Sequence, residues 1–316
     1  MHPGDRGLGR LGAAALVLLA VAAARPAAAQ QLEPRAYSPS PVGTNFFGIA
    51  YTNSSGDVVF DPSLPFTDVS ANVNAATPFY GHTFGLFGRT ASIAAVLPYA
   101  WGTVEGNVGE TFRQAKRSGF GDFGLRFGCN LYGNPALSPR EFAATKPRTT
   151  FGFSLSVTAP TGEYDETKLI NIGTHRWAFK PELGFSQPVG RWWFDLYAGA
   201  WFFTTNHDFY GGQTREQDPL IVVQGHVSYT FKPRLWLALD ATWYRGGSTT
   251  LNGVVNADRQ ENSRLGLTLA IPLPRNHGLK FGYAKGTTTR VGSKLDTISV
   301  AWQFLWFDRP AAAKSH

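Results

Sequence analysis

The chain has 316 residues, with 35 glycines, 14% aromatic and only 16% charged residues, a single methionine and a formal net charge of +7. One cysteine, Cys129, excludes an intramolecular disulfide, and the basic residues are scattered rather than clustered, which excludes a nucleic-acid patch despite a pI of 9.5. Mean hydropathy is −0.16, and past residue 30 no apolar run approaches the roughly 20 residues that a helix needs to cross a bilayer.

The first element is a targeting segment. Arg6 and Arg10 give a positive start, Leu11 to Ala24 is apolar, and Ala27-Ala28-Ala29 supplies small residues for cleavage, so residues 1–29 read as a secretory signal peptide. Its loss removes three basic residues (Arg6, Arg10, Arg25) and one acidic residue (Asp5), taking the formal charge from +7 to +5. Residues 30–42 follow as a Pro-rich lead-in, stiffened by Pro34, Pro39 and Pro41. Two placements are open to it: tucked into the interior of the next element as a plug, or trailing as a periplasmic tail.

From residue 43 onward the dominant signal is alternation, since a strand changes face at every residue. Strands are predicted at 43–52, 67–78, 90–103, 119–132, 148–158, 174–187, 191–205, 218–231, 234–246, 259–271, 277–286 and 295–307. In the fourth, Phe123, Leu125 and Phe127 oppose Asp122 and Arg126; in the fifth, Phe151, Phe153, Leu155 and Val157 oppose Ser154 and Ser156. Trp192, Phe194, Leu196 and Ala198 oppose Asp195, Tyr197 and Gly199 in the seventh. Ile221, Val223 and Val227 oppose Gln224, His226 and Ser228 in the eighth, and Leu235, Leu237 and Leu239 oppose Asp240 in the ninth. Leu265, Leu267 and Leu269 oppose Arg264 in the tenth, and Ile298, Val300, Trp302, Phe304 and Trp306 oppose Thr297, Ser299 and Gln303 in the last.

Length and loop parity turn these strands into a membrane wall. About nine to eleven residues cross a bilayer at a tilt, and aromatics gather at strand ends (Trp192, Trp193, Phe202, Phe203, Trp236, Trp243, Tyr244, Trp302, Trp306), as interfacial girdles do. Short connections (188–190, 232–233, 272–276) alternate with long ones (53–66, 104–118, 159–173, 206–217, 247–258), which is the arrangement of an outer-membrane barrel with short periplasmic turns. Two short-side connections are longer, 79–89 and 133–147, and each is expected to hold a helical turn, the second around Pro139-Arg140-Glu141-Phe142. The fold class is therefore all-β: a single antiparallel transmembrane up-and-down β-barrel of about 12 strands over 43–307, with 308–316 as a tail.

A run of short motifs then comes into view: Ser118-Gly119-Phe120-Gly121-Asp122, Thr158-Ala159-Pro160-Thr161-Gly162-Glu163-Tyr164, Asn171-Ile172-Gly173-Thr174-His175-Arg176-Trp177, Lys180-Pro181-Glu182 and Thr205-Asn206. With these the chain resembles, from about Gly43 to Trp306, the bacterial outer-membrane transporter-like family called "MetA-pathway of phenol degradation". The resemblance implies an outer-membrane β-barrel with a part in uptake of aromatic or other hydrophobic compounds. One departure stands out: such barrels often end on an aromatic residue, whereas Phe307 here is followed by Asp308 to His316.

Charges on the polar face are the candidate solute path: Asp122, Arg126, Arg176, Lys180, Glu182, Asp195, His226, Asp240, Arg264 and Lys280. A charge inside a barrel must be hydrated or paired. Two outcomes stay open for them, a paired network that narrows the pore and a charged constriction that selects solutes. Arg176, Lys180 and Glu182 are expected on one strand, with Asp195 on the next.

No motif of a hydrolase or metalloenzyme survives inspection. Gly121-Asp122-Phe123-Gly124 sits in an alternating strand without the other parts of a kinase. The seven histidines have no metal-ligand spacing, and Tyr164-Asp165-Glu166 lacks the spacing of a calcium loop, so neither cofactor nor metal is expected. The expected function is a narrow outer-membrane channel or transporter for small solutes, with outer-membrane lipid as its surroundings. Two alternatives are an outer-membrane hydrolase, for which His226 and Ser228 point the wrong way, and a sealed structural barrel.

Overall fold

The computed structural model describes residues 33–60 and 66–309. The signal peptide and the tail beyond Arg309 lie outside the described residues.

The wall begins with β1 (Thr44–Val59) and β2 (Phe66–Leu86), then β3 (Arg89–Val96), β4 (Tyr99–Val108), β5 (Thr111–Phe120) and β6 (Phe123–Tyr132). A five-residue helix, α1 (Pro139–Ala143), precedes β7 (Thr150–Ala159), β8 (Ala178–Val189) and β9 (Trp192–Phe203). After β10 (Asn206–Phe209) and β11 (Gln213–Gln217) come β12 (Leu220–Lys232) and β13 (Leu235–Gly246). The chain finishes with β14 (Thr249–Leu251), β15 (Val254–Val255), β16 (Gln260–Pro272), β17 (His277–Thr289) and β18 (Gly292–Phe307).

Every neighbouring pair in the wall is antiparallel, and β1 pairs with both β18 and β2, so the sheet closes on itself. The closed ring has 12 strands: β3 continues as β4 across Leu97-Pro98, both paired with β2, and β5 continues as β6 across Gly121-Asp122. Proline at 98 has no N–H to give the ladder, which accounts for the interruption there. Closure leaves no unpaired edge within the hydrocarbon layer, where an unsatisfied backbone group is costly.

Alternation holds through the wall. On β12 the residues 220, 222, 224, 226 and 228 are buried while Ile221 and Val227 are exposed, and β13 alternates in the same way about Ala238 and Asp240. The outer band carries Phe47, Ile49, Leu125, Leu183, Leu196, Leu239, Leu265 and Leu267. Part of the expected girdle turns inward instead: Trp193, Trp236 and Tyr244 are buried on the lumenal side, and only their partners of opposite parity, such as Trp192, Phe202 and Trp243, face out. A strand end fixes only the height of an aromatic; parity fixes its side.

The short side is as expected at 190–191 and 233–234, where Gly190 and Arg234 take positive φ, and at α1, whose Ser138 Oγ accepts from Glu141 N while Glu141 Oε2 accepts from Ser138 N at 2.9 Å. The expected helical turn in 79–89 does not form. There β2 runs on to Leu86 and turns through Phe87 and Gly88, both at positive φ. Much of the long side is strand rather than loop, because β18, β1, β2, β4 and β5 extend well past the level where β6 and β7 stop. The edge of β5 above that point is covered by residues 160–177: Glu163 N donates to Phe120 O at 2.8 Å and Arg117 Nε to Ile170 O at 2.7 Å. The other long connections pair into a small sheet of their own, β10-β11-β14-β15, over the extracellular mouth.

Candidate functional site: the lumen and its mouth

Residues 33–42 lie inside the barrel. Arg35 donates from Nε to Ser228 Oγ at 2.8 Å and from Nη2 to Thr230 Oγ1 at 2.7 Å, while its guanidinium stacks over Trp193 and Trp236 at 5.2 and 4.8 Å. The backbone N–H groups of Arg35 and Ala36 donate to Asp195 Oδ2 and to the Tyr197 hydroxyl. Tyr37 is buried: its hydroxyl lies 2.7 Å from Ser154 Oγ and donates to Glu182 Oε1 at 3.1 Å, and its carbonyl accepts from Thr150 Oγ1 at 2.8 Å. Its ring meets Tyr197 edge-on, with centroids 4.9 Å apart. The segment leaves along Pro41, whose carbonyl accepts from Thr83 Oγ1, and Val42, whose N–H donates to Leu137 O. Of the two placements open to the lead-in, the interior one is found. Its contacts fall on β2, β6, β7, β8, β9, β12 and β13, from mid-barrel toward the periplasmic ends.

Glycine makes room for it. A Cβ on Gly152 or Gly184, on the lumenal faces of β7 and β8, would overlap the Tyr37 ring. Small residues are the sequence signature of such a close approach, although nothing local says what approaches.

Above the lead-in sits a network of charges. Arg126 reaches Glu33 Oε2 at 2.9 Å and Glu182 Oε1 at 3.3 Å, and Lys180 Nζ holds Glu182 Oε2 at 2.9 Å. Farther round the wall His226 Nδ1 is 2.7 Å from Asp240 Oδ1, with Thr268 Oγ1 donating to Asp240 Oδ2 at 2.6 Å. Arg264 Nη2 donates to Thr297 Oγ1 at 2.8 Å, and Lys280 Nζ stands 5.8 Å from the Trp236 ring. Arg126, Lys180, Glu182, Asp195, His226, Asp240, Arg264 and Lys280 thus all project inward from strands.

Two of the expected lumenal residues sit elsewhere. Asp122 occupies the break between β5 and β6 and clasps the covering loop: Oδ1 accepts from Gly162 N at 2.9 Å, and Oδ2 from Thr174 N at 2.9 Å and Thr174 Oγ1 at 2.6 Å. Arg176 precedes β8 rather than lying on it, and stacks on Phe203 at 4.3 Å while donating to Gln217. Parity cannot distinguish the last residue of a strand from the first residue of a loop, so both were placed one step too deep.

At the mouth a cavity opens between the covering loop and the small sheet, lined among others by Tyr164, Thr174, Arg176, Asn206, Phe209 and Arg215. Nearby, Asp165 is drawn down to a pKa of about 2 by hydrogen bonds from Lys168 and from the Thr167 hydroxyl and N–H. That is loop closure by hydrogen bonding to the Asp165 carboxylate. Residues that the alternation pattern does not single out are Glu33, Arg35 and Tyr37 in the lead-in and Arg215 in β11. Only the density of proline around the first group, at Pro34, Pro39 and Pro41, hints at a fixed path.

The family described as "Putative MetA-pathway of phenol degradation" matches residues 48–303. No curated protein matches the chain. Among solved structures it is similar to the COG4313 outer membrane channel from Pseudomonas putida F1, at 21% identity and a TM-score of 0.73, covering 87% of this chain and 100% of that one. It also aligns with the transport unit of the autotransporter AIDA-I from Escherichia coli, at 11% identity and a TM-score of 0.49, over 95% of this chain and 98% of that one. The first likeness shows the fold, a closed 12-strand antiparallel barrel, and the band of apolar side chains on its outer face is the surface such a barrel turns to lipid. The match over 48–303 spans all but the ends of that barrel, and the chain belongs to the phenol-degradation MetA-pathway family.

Proposed function

We propose that the protein is an outer-membrane channel for small solutes, kept narrow by its own N-terminal segment. The observation that carries this is the lumen itself: inward charges line the wall from Arg264 to Arg126, and residues 33–42 occupy the periplasmic half by hydrogen bonds rather than by an apolar seal. A barrel of this size falls between small ones filled by side chains and porins with an open aqueous channel. The family's description points to aromatic or other hydrophobic compounds as the solutes.

A role without chemistry is favoured by the placement of His226 and Ser228 on β12. His226 and Ser228 face the lumen, His226 is engaged with Asp240, and Ser228 Oγ receives Arg35, so membrane lipid has no access to them. The test compares the full mature chain with one lacking residues 31–41 in planar bilayers and in liposome flux. A small conductance that rises on truncation is expected. Absence of conductance and flux in both would leave a sealed structural barrel instead.

A further inference from the structure

Arg215 has a feature that the barrel does not need. It lies on β11, outside the membrane wall, with its guanidinium 5.1 Å from the Phe209 ring. Its Nε is buried without a hydrogen-bond partner, and no side-chain hydrogen bond ties it to the described residues. Its electrostatic neighbours are Asp258 and Tyr164. Asp258 is already committed, accepting from Thr249 N at 2.8 Å and Thr249 Oγ1 at 2.7 Å, and the Tyr164 hydroxyl donates to Asp208 O while receiving Asn206 Nδ2. Burial lowers the Arg215 pKa to about 10, so it stays cationic at neutral pH. A planar donor set is therefore held rigid by an aromatic face, facing the cavity into which Arg176 also projects.

We propose that this cavity at the extracellular mouth is a binding site for the carboxylate group of a small organic acid. The guanidinium fork matches a carboxylate in charge and geometry, and Arg176 adds a second positive charge on the same wall. The enclosed space is on the scale of a carboxylate head rather than of a whole ring, so the body of the acid projects through the open side, past Phe209 and Tyr164. Phosphate, a tetrahedral oxyanion of higher charge, fits the same chemistry less well because Asp208 and Asp258 border the loops around it. Service as the first station of a solute path rests on the channel reading above; the binding itself does not.

Isothermal titration of the purified full chain in detergent, at constant ionic strength, tests the binding directly with sodium benzoate, sodium acetate and the isosteric neutral benzamide. Saturable binding of both carboxylates, with no binding of benzamide, is expected. Arg215→Gln should weaken it roughly tenfold or more, since a charge-assisted pair is removed, while Arg215→Lys should retain part of it. Heat-modifiable migration in gels confirms that each variant is folded. Equal binding of benzamide and benzoate by the unaltered protein overturns the proposal even if no variant folds, as does the absence of saturation or full affinity in a folded Arg215→Gln. Preferential binding of inorganic phosphate over benzoate also overturns it. Conductance that survives alongside such a failure would leave the channel reading standing.

Discussion

The ring of Tyr37 occupies the space that a side chain on Gly184 would need, so the N-terminal segment and the wall of β8 are shaped to one another. Gly184→Ala forces the ring out of its seat or strains the wall, at a cost of about 1–3 kcal/mol typical of overpacking. Tyr37 is the softer partner, being on a segment outside the ladder. The expected result is a raised single-channel conductance with an intact barrel. Unchanged conductance together with unchanged stability would show that Tyr37 does not hold the segment in place.

Glu182 is the acceptor shared by Arg126, Lys180 and Tyr37, and its side chain is 2% exposed. Removing it as Glu182→Ala leaves Lys180 without its carboxylate, whereas Arg126 keeps Glu33. Stripping one member from a buried charged set costs about 3 kcal/mol. Urea unfolding of the purified barrel should show a loss of that order, and Glu182→Gln a smaller one.

Asp122 fastens residues 162 and 174 across the top of β5 and β6 with both carboxylate oxygens. Asp122→Ala abandons two backbone donors and a hydroxyl. Faster proteolysis within 160–177, with the barrel core still resistant, is the expected outcome, read by limited digestion and mass spectrometry. Cleavage at the unaltered rate would mean that Glu163 and Arg117 suffice to hold the loop.

The Asp165 loop gives a pH dependence of defined sign. Its carboxyl titrates near 2 in the folded chain, below the ordinary value of 3.8, so its contribution to loop order is complete above the ordinary value and is lost as pH falls from there toward 2. A carbon-13 titration of the Asp165 carboxyl should show this low midpoint, moving up to the ordinary range in Thr167→Val combined with Lys168→Met. A midpoint near 4 in the unaltered protein would show that the turn is not formed in solution.

Strand, side and parity could be read from the chain because a barrel strand carries a period of two over ten residues or more, enough repeats for one face to declare itself. The four strands over the mouth could not: β15 has only Val254 and Val255, and β14 three residues, so no period exists to count. Eight of the ten charges assigned to the lumen project there from strands, since Glu182 or Asp240 on a lipid face would be prohibitive. Asp122 and Arg176 were misplaced where a strand becomes a loop. Arg35 and Tyr37 escaped notice for a different reason. A short run of turns has no periodic face of its own, and the partners of Arg35 at Asp195 and Ser228 are 160 and 193 residues away.

The lead-in is anchored to the wall at Thr44, with residues 30–43 as its arm. Fully extended, such an arm reaches at most about 50 Å, so once displaced it remains near the opening it came from. A short flexible tether keeps its end at a local concentration in the millimolar range. Reseating is then a first-order event, indifferent to how much protein the membrane holds, and an added peptide of the same sequence would compete poorly. Currents through this barrel should accordingly appear as brief bursts whose closing rate stays constant, the electrical signature of a stopper that never leaves its leash.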